Sequence, residues 1–103
     1  MQELKDQIVD DINDNDFILF MKGTKQMPMC GFSATVVNIL NSYGIEYKDV
    51  NVLTDPSIRV ALSEHSSWPT IPQFFIKGEL IGGCDITLEL HKSGELKDLI
   101  EKV

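Results

Sequence analysis

The chain has 103 residues, which is enough for one small domain with a single core, and we expect one domain over residues 1–103. Nine Lys and Arg against sixteen Asp and Glu give a net charge of −7, so the chain lacks the basic surface that a nucleic-acid partner requires. No apolar run approaches the roughly 20 residues of a membrane span, the start "MQELKD" is unlike a signal peptide, and two cysteines do not make a secreted disulfide framework. We therefore expect a cytoplasmic protein with neither a nucleic acid nor a membrane as partner.

The first half of the chain predicts a helix, a strand and a second helix. Apolar residues recur every four places from Leu4 to Ile12, which puts them on one stripe of an amphipathic helix. The run "FILFM", residues 17–21, is short and wholly apolar, as expected of a central parallel strand that is covered on both faces. A helical apolar stripe then fills residues 31–43, and Gly44 is suited to cap that helix at its carboxyl end.

The second half predicts a strand over 46–52, a helix over 55–65 and an antiparallel hairpin over 73–83. Residues 84–103 close the chain as one helix broken at Gly94, or as two short helices. The order is β-α-β followed by β-β-α, with one extra helix in front and another between the halves. A right-handed crossover makes the first two strands parallel, so the sequence predicts an α/β fold with a four-stranded mixed sheet flanked by helices.

Cys30 lies where a loop becomes the second helix, which is a favourable place for a thiolate. The N–H groups of a first helical turn have no intrahelical partner, and the helix dipole favours an anion there. Lys22, at the end of the first strand, adds positive charge, and both influences lower the pKa of a thiol. The sequence therefore predicts an activated thiol at Cys30, with a buried structural cysteine as the alternative. Ser33 stands where a Cys-x-x-Cys redox pair has its second sulfur.

Two further motifs flank the predicted hairpin. In "WPTIPQ", residues 68–73, a proline follows Ile71 directly before the first hairpin strand. A cis bond there would turn the main chain of Ile71 toward an extended ligand, whereas a trans proline would only begin an edge strand, and both remain open. In "GGCD", residues 82–85, the N–H groups of Cys84 and Asp85 either hold a carboxylate or belong to a tight turn that Asp85 caps.

Lys22, the "CGFS" of residues 30–33, the "WPTIPQ" and the "GGCD" occur together in the order and spacing of a known family. In these motifs the chain resembles the monothiol glutaredoxins of the CGFS type, a branch of the thioredoxin-fold glutaredoxins. The resemblance covers nearly the whole chain. The long separation between Lys22 and Cys30 is similar to the loop of this branch, which is longer than that of the dithiol branch. It implies a thioredoxin fold, with glutathione as a cofactor.

The resemblance also implies which residues bind glutathione. Lys22 and Arg59 would attract the glycine carboxylate of the tripeptide. The main chain of Ile71, before a cis proline, would pair with the cysteinyl unit in the manner of a short added strand. The N–H groups of Cys84 and Asp85, with the Asp85 side chain, would hold the γ-glutamyl end.

For Cys30 the resemblance implies that it ligates iron or forms a mixed disulfide with glutathione. A [2Fe–2S] cluster takes four thiolates, so two chains and two glutathione thiolates would complete the set in a bridged homodimer. Such a dimer would pass the cluster to apoproteins, in iron–sulfur cluster biogenesis and iron homeostasis. The alternatives are a glutathione-dependent oxidoreductase that works through Cys30 alone, and a module that acts with a BolA-type partner. The Ser33 hydroxyl is too weakly acidic to attack a mixed disulfide, which favours carrying a cluster over rapid redox cycling.

Overall fold

The computed structural model describes residues 2–103, whose helices and strands follow one another in the order that the sequence predicts. The elements in chain order are α1 (Gln2–Asp14), β1 (Phe17–Met21), α2 (Gly31–Ser42), β2 (Lys48–Asn51), α3 (Pro56–Ser66), β3 (Gln73–Ile76), β4 (Glu79–Gly82), α4 (Cys84–Ser93) and α5 (Glu95–Glu101). A 3₁₀ turn, Val52–Thr54, lies between β2 and α3. Within residues 2–103, no helix has the length and apolar character needed to cross a membrane.

The four strands form one mixed sheet in the order β2-β1-β3-β4. β1 is parallel to β2 and antiparallel to β3, and β3 and β4 form an antiparallel hairpin. Lys77 and Gly78, both with positive φ, make the turn of that hairpin. The predicted β-α-β unit followed by β-β-α is therefore confirmed, and with it the thioredoxin-type α/β fold.

β1 is a central strand whose side chains alternate between two apolar cores. Leu19 and Met21 belong to the core that α2, α4 and α5 cover. Ile18 and Phe20 belong to the core beneath α1 and α3. All four side chains are fully buried, as the unbroken apolar run predicts for a strand covered on both faces. The loops that leave the ends of β1 therefore start from a rigid strand.

The helix boundaries agree with the capping residues in the sequence. Gly44, with a φ of +67°, follows α2 in the left-handed conformation that glycine adopts readily. Asp55 caps α3, because its Oδ1 accepts the N–H of Ser57 at 2.9 Å. Gly94, with a φ of +86°, separates α4 from α5, so the carboxyl-terminal residues form two short helices.

β2 is shorter than the strand predicted over 46–52. At its start, the Lys25 ammonium group donates to the Tyr47 carbonyl oxygen at 2.6 Å, and that carbonyl is therefore occupied by a side chain. At its end, Asn51 Oδ1 accepts the N–H of Leu53 at 3.0 Å and begins the 3₁₀ turn. Contacts between side chains and the main chain thus stop the strand at both ends.

Candidate functional site

A groove of about 420 Å³ opens beside the carboxyl end of β1. The segment before β3 borders the same end of the sheet, because β3 runs antiparallel to β1. The groove brings together all six residues that the sequence analysis assigns to a site. Its lining residues are Lys22, Cys30, Phe32, Arg59, Trp68, Thr70, Ile71, Pro72, Gly83, Cys84, Asp85 and Ile86.

Cys30 is the N-cap residue of α2 and its side chain is partly exposed, which contradicts the alternative of a buried structural cysteine. The main-chain N–H of Ser33 is the strongest influence that lowers the pKa of the Cys30 thiol, and partial burial opposes it. The N–H of Phe32, the charge of Lys22 and the Ser33 hydroxyl lower the pKa further. The net effect is a thiol that ionises more readily than an ordinary cysteine.

Ser33 fixes the main chain of Lys22, whose positive charge lowers the pKa of Cys30. Its side chain is fully buried, and its Oγ accepts the N–H of Lys22 at 3.1 Å. The Lys22 carbonyl oxygen in turn accepts the N–H of Met29, directly before Cys30, at 2.9 Å. These hydrogen bonds join the two ends of the loop between Lys22 and Cys30. They therefore fix the main chain at Lys22 close to the main chain that carries the Cys30 thiol.

The rest of this loop is tied to β2. Asn51 Oδ1 accepts the N–H of Gly23 at 3.0 Å, and Asp49 Oδ2 accepts the N–H of Lys25 at 2.8 Å. Gly23 has a φ of +87°, and a Cβ there would overlap the carbonyl oxygen of Met27 and both the side chain and the main chain of Met29. The loop thus requires glycine at this position for both its conformation and its close packing.

Ile71 lines the groove between Thr70 and Pro72. The Ile71-Pro72 bond is cis, which settles the alternative that the sequence leaves open. The side chain of Ile71 is buried in the core beneath α1 and α3. Within residues 2–103, neither the N–H nor the C=O of Ile71 takes part in a hydrogen bond, although Pro69 and Thr70 on the same segment accept bonds through their carbonyl oxygens. Both groups of Ile71 are therefore available to a ligand.

The opposite wall of the groove is the amino-terminal turn of α4. Gly83 is its N-cap residue, so the N–H groups of Cys84 and Asp85 fall in the first turn and precede the intrahelical bonds. Burial raises the pKa of the Cys84 thiol, and the neighbouring Asp85 and Cys30 charges raise it further, while the Thr35 side chain lowers it. Of the two thiols in the groove, Cys30 is thus the one activated for ionisation.

Two cations and one carboxylate give the groove its charge. Lys22 is partly exposed and Arg59 is exposed, and both line the groove together with Asp85. One guanidinium N–H of Arg59 points to the Pro69 carbonyl oxygen at a long distance of 3.4 Å, which leaves its other N–H groups free. On a chain with a net charge of −7, this groove is a local positive site that can attract a carboxylate.

Comparison with known proteins agrees with this geometry. Residues 17–81 match the family model described as glutaredoxin. The chain belongs to the glutaredoxin family. A probable monothiol glutaredoxin 2 of Rickettsia typhi is 57% identical over 90 residues, which are 87% of this chain and 81% of that protein.

Two solved structures extend the comparison to the fold of this glutaredoxin. The solution structure of reduced apo GrxS14 from poplar has a TM-score of 0.85 and 50% identity, over 96% of this chain and 91% of that one. The crystal structure of a buckwheat glutaredoxin–glutathione complex has a TM-score of 0.87 and 25% identity, over 98% of this chain and 90% of that one. The relatives therefore confirm both the thioredoxin-type fold and the resemblance to monothiol glutaredoxins.

Some residues of the glutaredoxin groove were not expected from the sequence, among them Thr70, Gly83 and Ile86. A Cβ on Gly83 would lie 3.1 Å from the Pro72 carbonyl oxygen and 3.6 Å from Nε1 of Trp68, so the two walls approach closely here. The only sequence signal for Thr70 and Gly83 is that they lie within the "WPTIPQ" and "GGCD" motifs. Ile86 carries no such signal.

The difference between the two thiols can be measured in one chain. Because the pKa of Cys30 is lowered and that of Cys84 is raised, Cys30 should react with iodoacetamide at a distinctly lower pH than Cys84. Alkylation at a series of pH values, followed by peptide mass spectrometry, gives a separate rate profile for each thiol, so Cys84 serves as the internal control. Superimposable profiles, or a Cys84 profile at lower pH, would contradict the activation of Cys30.

Proposed function

We propose that this monothiol glutaredoxin binds a labile [2Fe–2S] cluster with glutathione in a bridged homodimer and transfers the cluster to apoproteins. The observation that carries the proposal is the single activated, partly exposed thiol of Cys30 in a groove that also presents free main-chain groups at Ile71. Cluster iron takes thiolate ligands, which fits the chemistry of Cys30. One chain supplies one such thiolate, so a second chain and two glutathione thiolates complete the set of four.

The groove supports glutathione as the second source of thiolate. Its lining residues offer separate partners for the parts of an extended tripeptide, and the unpaired N–H and C=O of Ile71 suit a short added strand. Lys22 and Arg59 suit a carboxylate at one end. The first-turn N–H groups of Cys84 and Asp85 suit the carboxylate at the other.

The surface around Cys30 favours contact with a second protein chain. Phe32, Met27 and Met29 flank the thiol, and their side chains are 61%, 69% and 64% exposed. Flexible methionines and an exposed aromatic ring provide apolar area that can adapt to a partner. This area would be covered in the homodimer, and the same area would serve an apoprotein recipient or a BolA-type partner.

The lowered pKa of Cys30 also favours a second candidate, the removal of glutathione from protein thiols. In that reaction the Cys30 thiolate attacks the glutathione sulfur of a mixed disulfide, forms Cys30–S–S–glutathione and releases the protein thiolate. A second glutathione thiolate then attacks that bond, which regenerates Cys30 and yields oxidised glutathione. The Ser33 hydroxyl cannot replace the second glutathione, so we propose the carrier role as the principal one. We propose the cytoplasm as the place of action, because it supplies reduced glutathione.

Anaerobic purification tests the principal role. We expect a coloured protein whose visible absorption and dimeric size are lost together when the cluster is removed. A colourless monomer with rapid glutathione-dependent reduction of mixed disulfides would favour the second candidate. A cluster that is stable only after addition of a BolA-type protein would favour the hetero-complex.

A further inference from the structure

Gln73 is a polar residue in an otherwise apolar part of the sheet. It begins β3 and pairs with Phe20 on the central strand β1, so its main chain is fixed. Its side chain is fully buried. The side-chain Nε2 donates two hydrogen bonds back along the chain, to the carbonyl oxygens of Trp68 at 2.9 Å and Thr70 at 3.1 Å.

These two bonds fasten one wall of the groove to the sheet. Trp68, Thr70 and Ile71 all line the groove, and the two carbonyl oxygens that Gln73 holds lie before Ile71 in the chain. Gly83, on the opposite wall, packs closely against the same segment. We propose that Gln73 is a positioning residue, whose buried carboxamide holds residues 68–71 in the shape that receives glutathione along the main chain of Ile71. This inference rests on the proposed function, since it takes glutathione as the ligand of this wall.

The carboxamide oxygen of Gln73 indicates that a contribution to stability alone does not explain a glutamine at this position. Gln73 Oε1 is buried, and within residues 2–103 it has no hydrogen-bond partner. A buried polar atom without a partner is unfavourable, whereas an apolar side chain of similar shape avoids that loss. The orientation of the amide is nevertheless determined, because the reversed amide would place its oxygen against two carbonyl oxygens. The unpartnered Oε1 offsets part of the stability that the two bonds to Trp68 and Thr70 contribute, so we infer that their main effect is on the geometry of the wall.

Gln73→Met separates these two effects. Methionine has a similar length, is apolar and suits an apolar core, so we expect a folded variant whose melting temperature is only modestly lowered, because removal of the unpartnered Oε1 offsets part of the loss of two hydrogen bonds. The segment before Ile71 loses both bonds, and the binding-competent wall is then populated for only part of the time. The dissociation constant of reduced glutathione should rise by the inverse of that fraction, which we expect to be about fivefold to tenfold.

The matched control is Thr87→Val. Thr87 is also fully buried, and its Oγ1 also has no partner within residues 2–103, but it does not line the groove. This change removes a buried polar atom without changing a groove contact, so the affinity for glutathione should stay at the parent value. The pH profile of Cys30 alkylation should be unchanged in both variants, because neither side chain is among the groups that shift the pKa of Cys30.

The measurement is a titration of the apo protein with reduced glutathione, followed by the chemical shifts of main-chain amides, together with thermal unfolding of each variant. An unchanged glutathione affinity in folded Gln73→Met would overturn the inference while leaving the proposed function intact. Absence of glutathione binding in the parent would instead contradict the proposed function itself, and the inference with it.

A measurement on the parent keeps the inference testable should Gln73→Met not fold. The side-chain amide protons of Gln73 should exchange with solvent far more slowly than those of Gln26, whose side chain is exposed. Comparable exchange rates for the two side chains would mean that the bonds to Trp68 and Thr70 do not persist in solution, which would also overturn the inference.

Discussion

Cys30→Ser should give a folded protein that binds no [2Fe–2S] cluster. The change removes the one activated sulfur of the groove, and a serine hydroxyl does not ionise near neutral pH to replace a thiolate ligand. Stability should not fall, because Cys30 is partly exposed, makes no side-chain cap bond, and is replaced by a preferred N-cap residue. The measurements are visible absorbance after anaerobic reconstitution and the melting temperature of the apo protein.

Cys84→Ser is the matched control, since it makes the same atomic change on the opposite wall of the groove. We expect this variant to retain the cluster, because Cys84 contributes its main-chain N–H and its thiol is the less ionised of the two. A stable coloured dimer of Cys30→Ser would falsify the assignment of Cys30 as the ligand. A colourless Cys84→Ser variant with an unchanged melting temperature would show that the Cys84 thiol itself takes part.

Elements with strong local signals could be predicted from the sequence. The apolar run at 17–21 indicated a strand buried on both faces, and both faces are covered. Asp55 and Gly44 indicated helix ends, because capping depends on residues that are adjacent in the chain. The family resemblance implied the site residues, including Arg59, which lies in none of the quoted motifs, and one groove brings all of them together.

The sequence could not give contacts between a side chain and a distant main-chain group. Ser33 marked the missing second sulfur, but its bond to the N–H of Lys22 depends on the packing of α2 beside the end of β1. Asn51 likewise ends β2 and holds Gly23, which no periodicity indicates. The carboxamide of Gln73 is a further example, because an isolated glutamine in a strand pattern does not reveal which carbonyl oxygens it will bind.

Removal of either groove cation should accelerate loss of the cluster. If Lys22 and Arg59 each make a charge-assisted contact with a glutathione carboxylate, Lys22→Met and Arg59→Met should each weaken the holo form. The loss is about 1.5 to 3 kcal/mol for a bond shielded from water, and less at Arg59, whose side chain is exposed. Lys97→Met is the matched control, because it removes one exposed cation on α5 whose ion-pair partner is Glu101, away from the groove.

The decay of visible absorbance under anaerobic conditions, over a glutathione series and at two salt concentrations, measures this effect. Added glutathione should partly rescue Lys22→Met and Arg59→Met by mass action, because both variants lose affinity for glutathione and keep the Cys30 sulfur. The rescue should be less complete in Lys22→Met, which also removes a charge that lowers the pKa of Cys30. Salt should accelerate decay more in the parent than in a double variant that combines Lys22→Met with Arg59→Met, since the parent has more charge pairing to screen. Lys97→Met should decay as the parent does. If decay in every protein is independent of glutathione, the tripeptide is not a ligand and the bridged dimer must be abandoned, even though Cys30 could still bind iron in another complex.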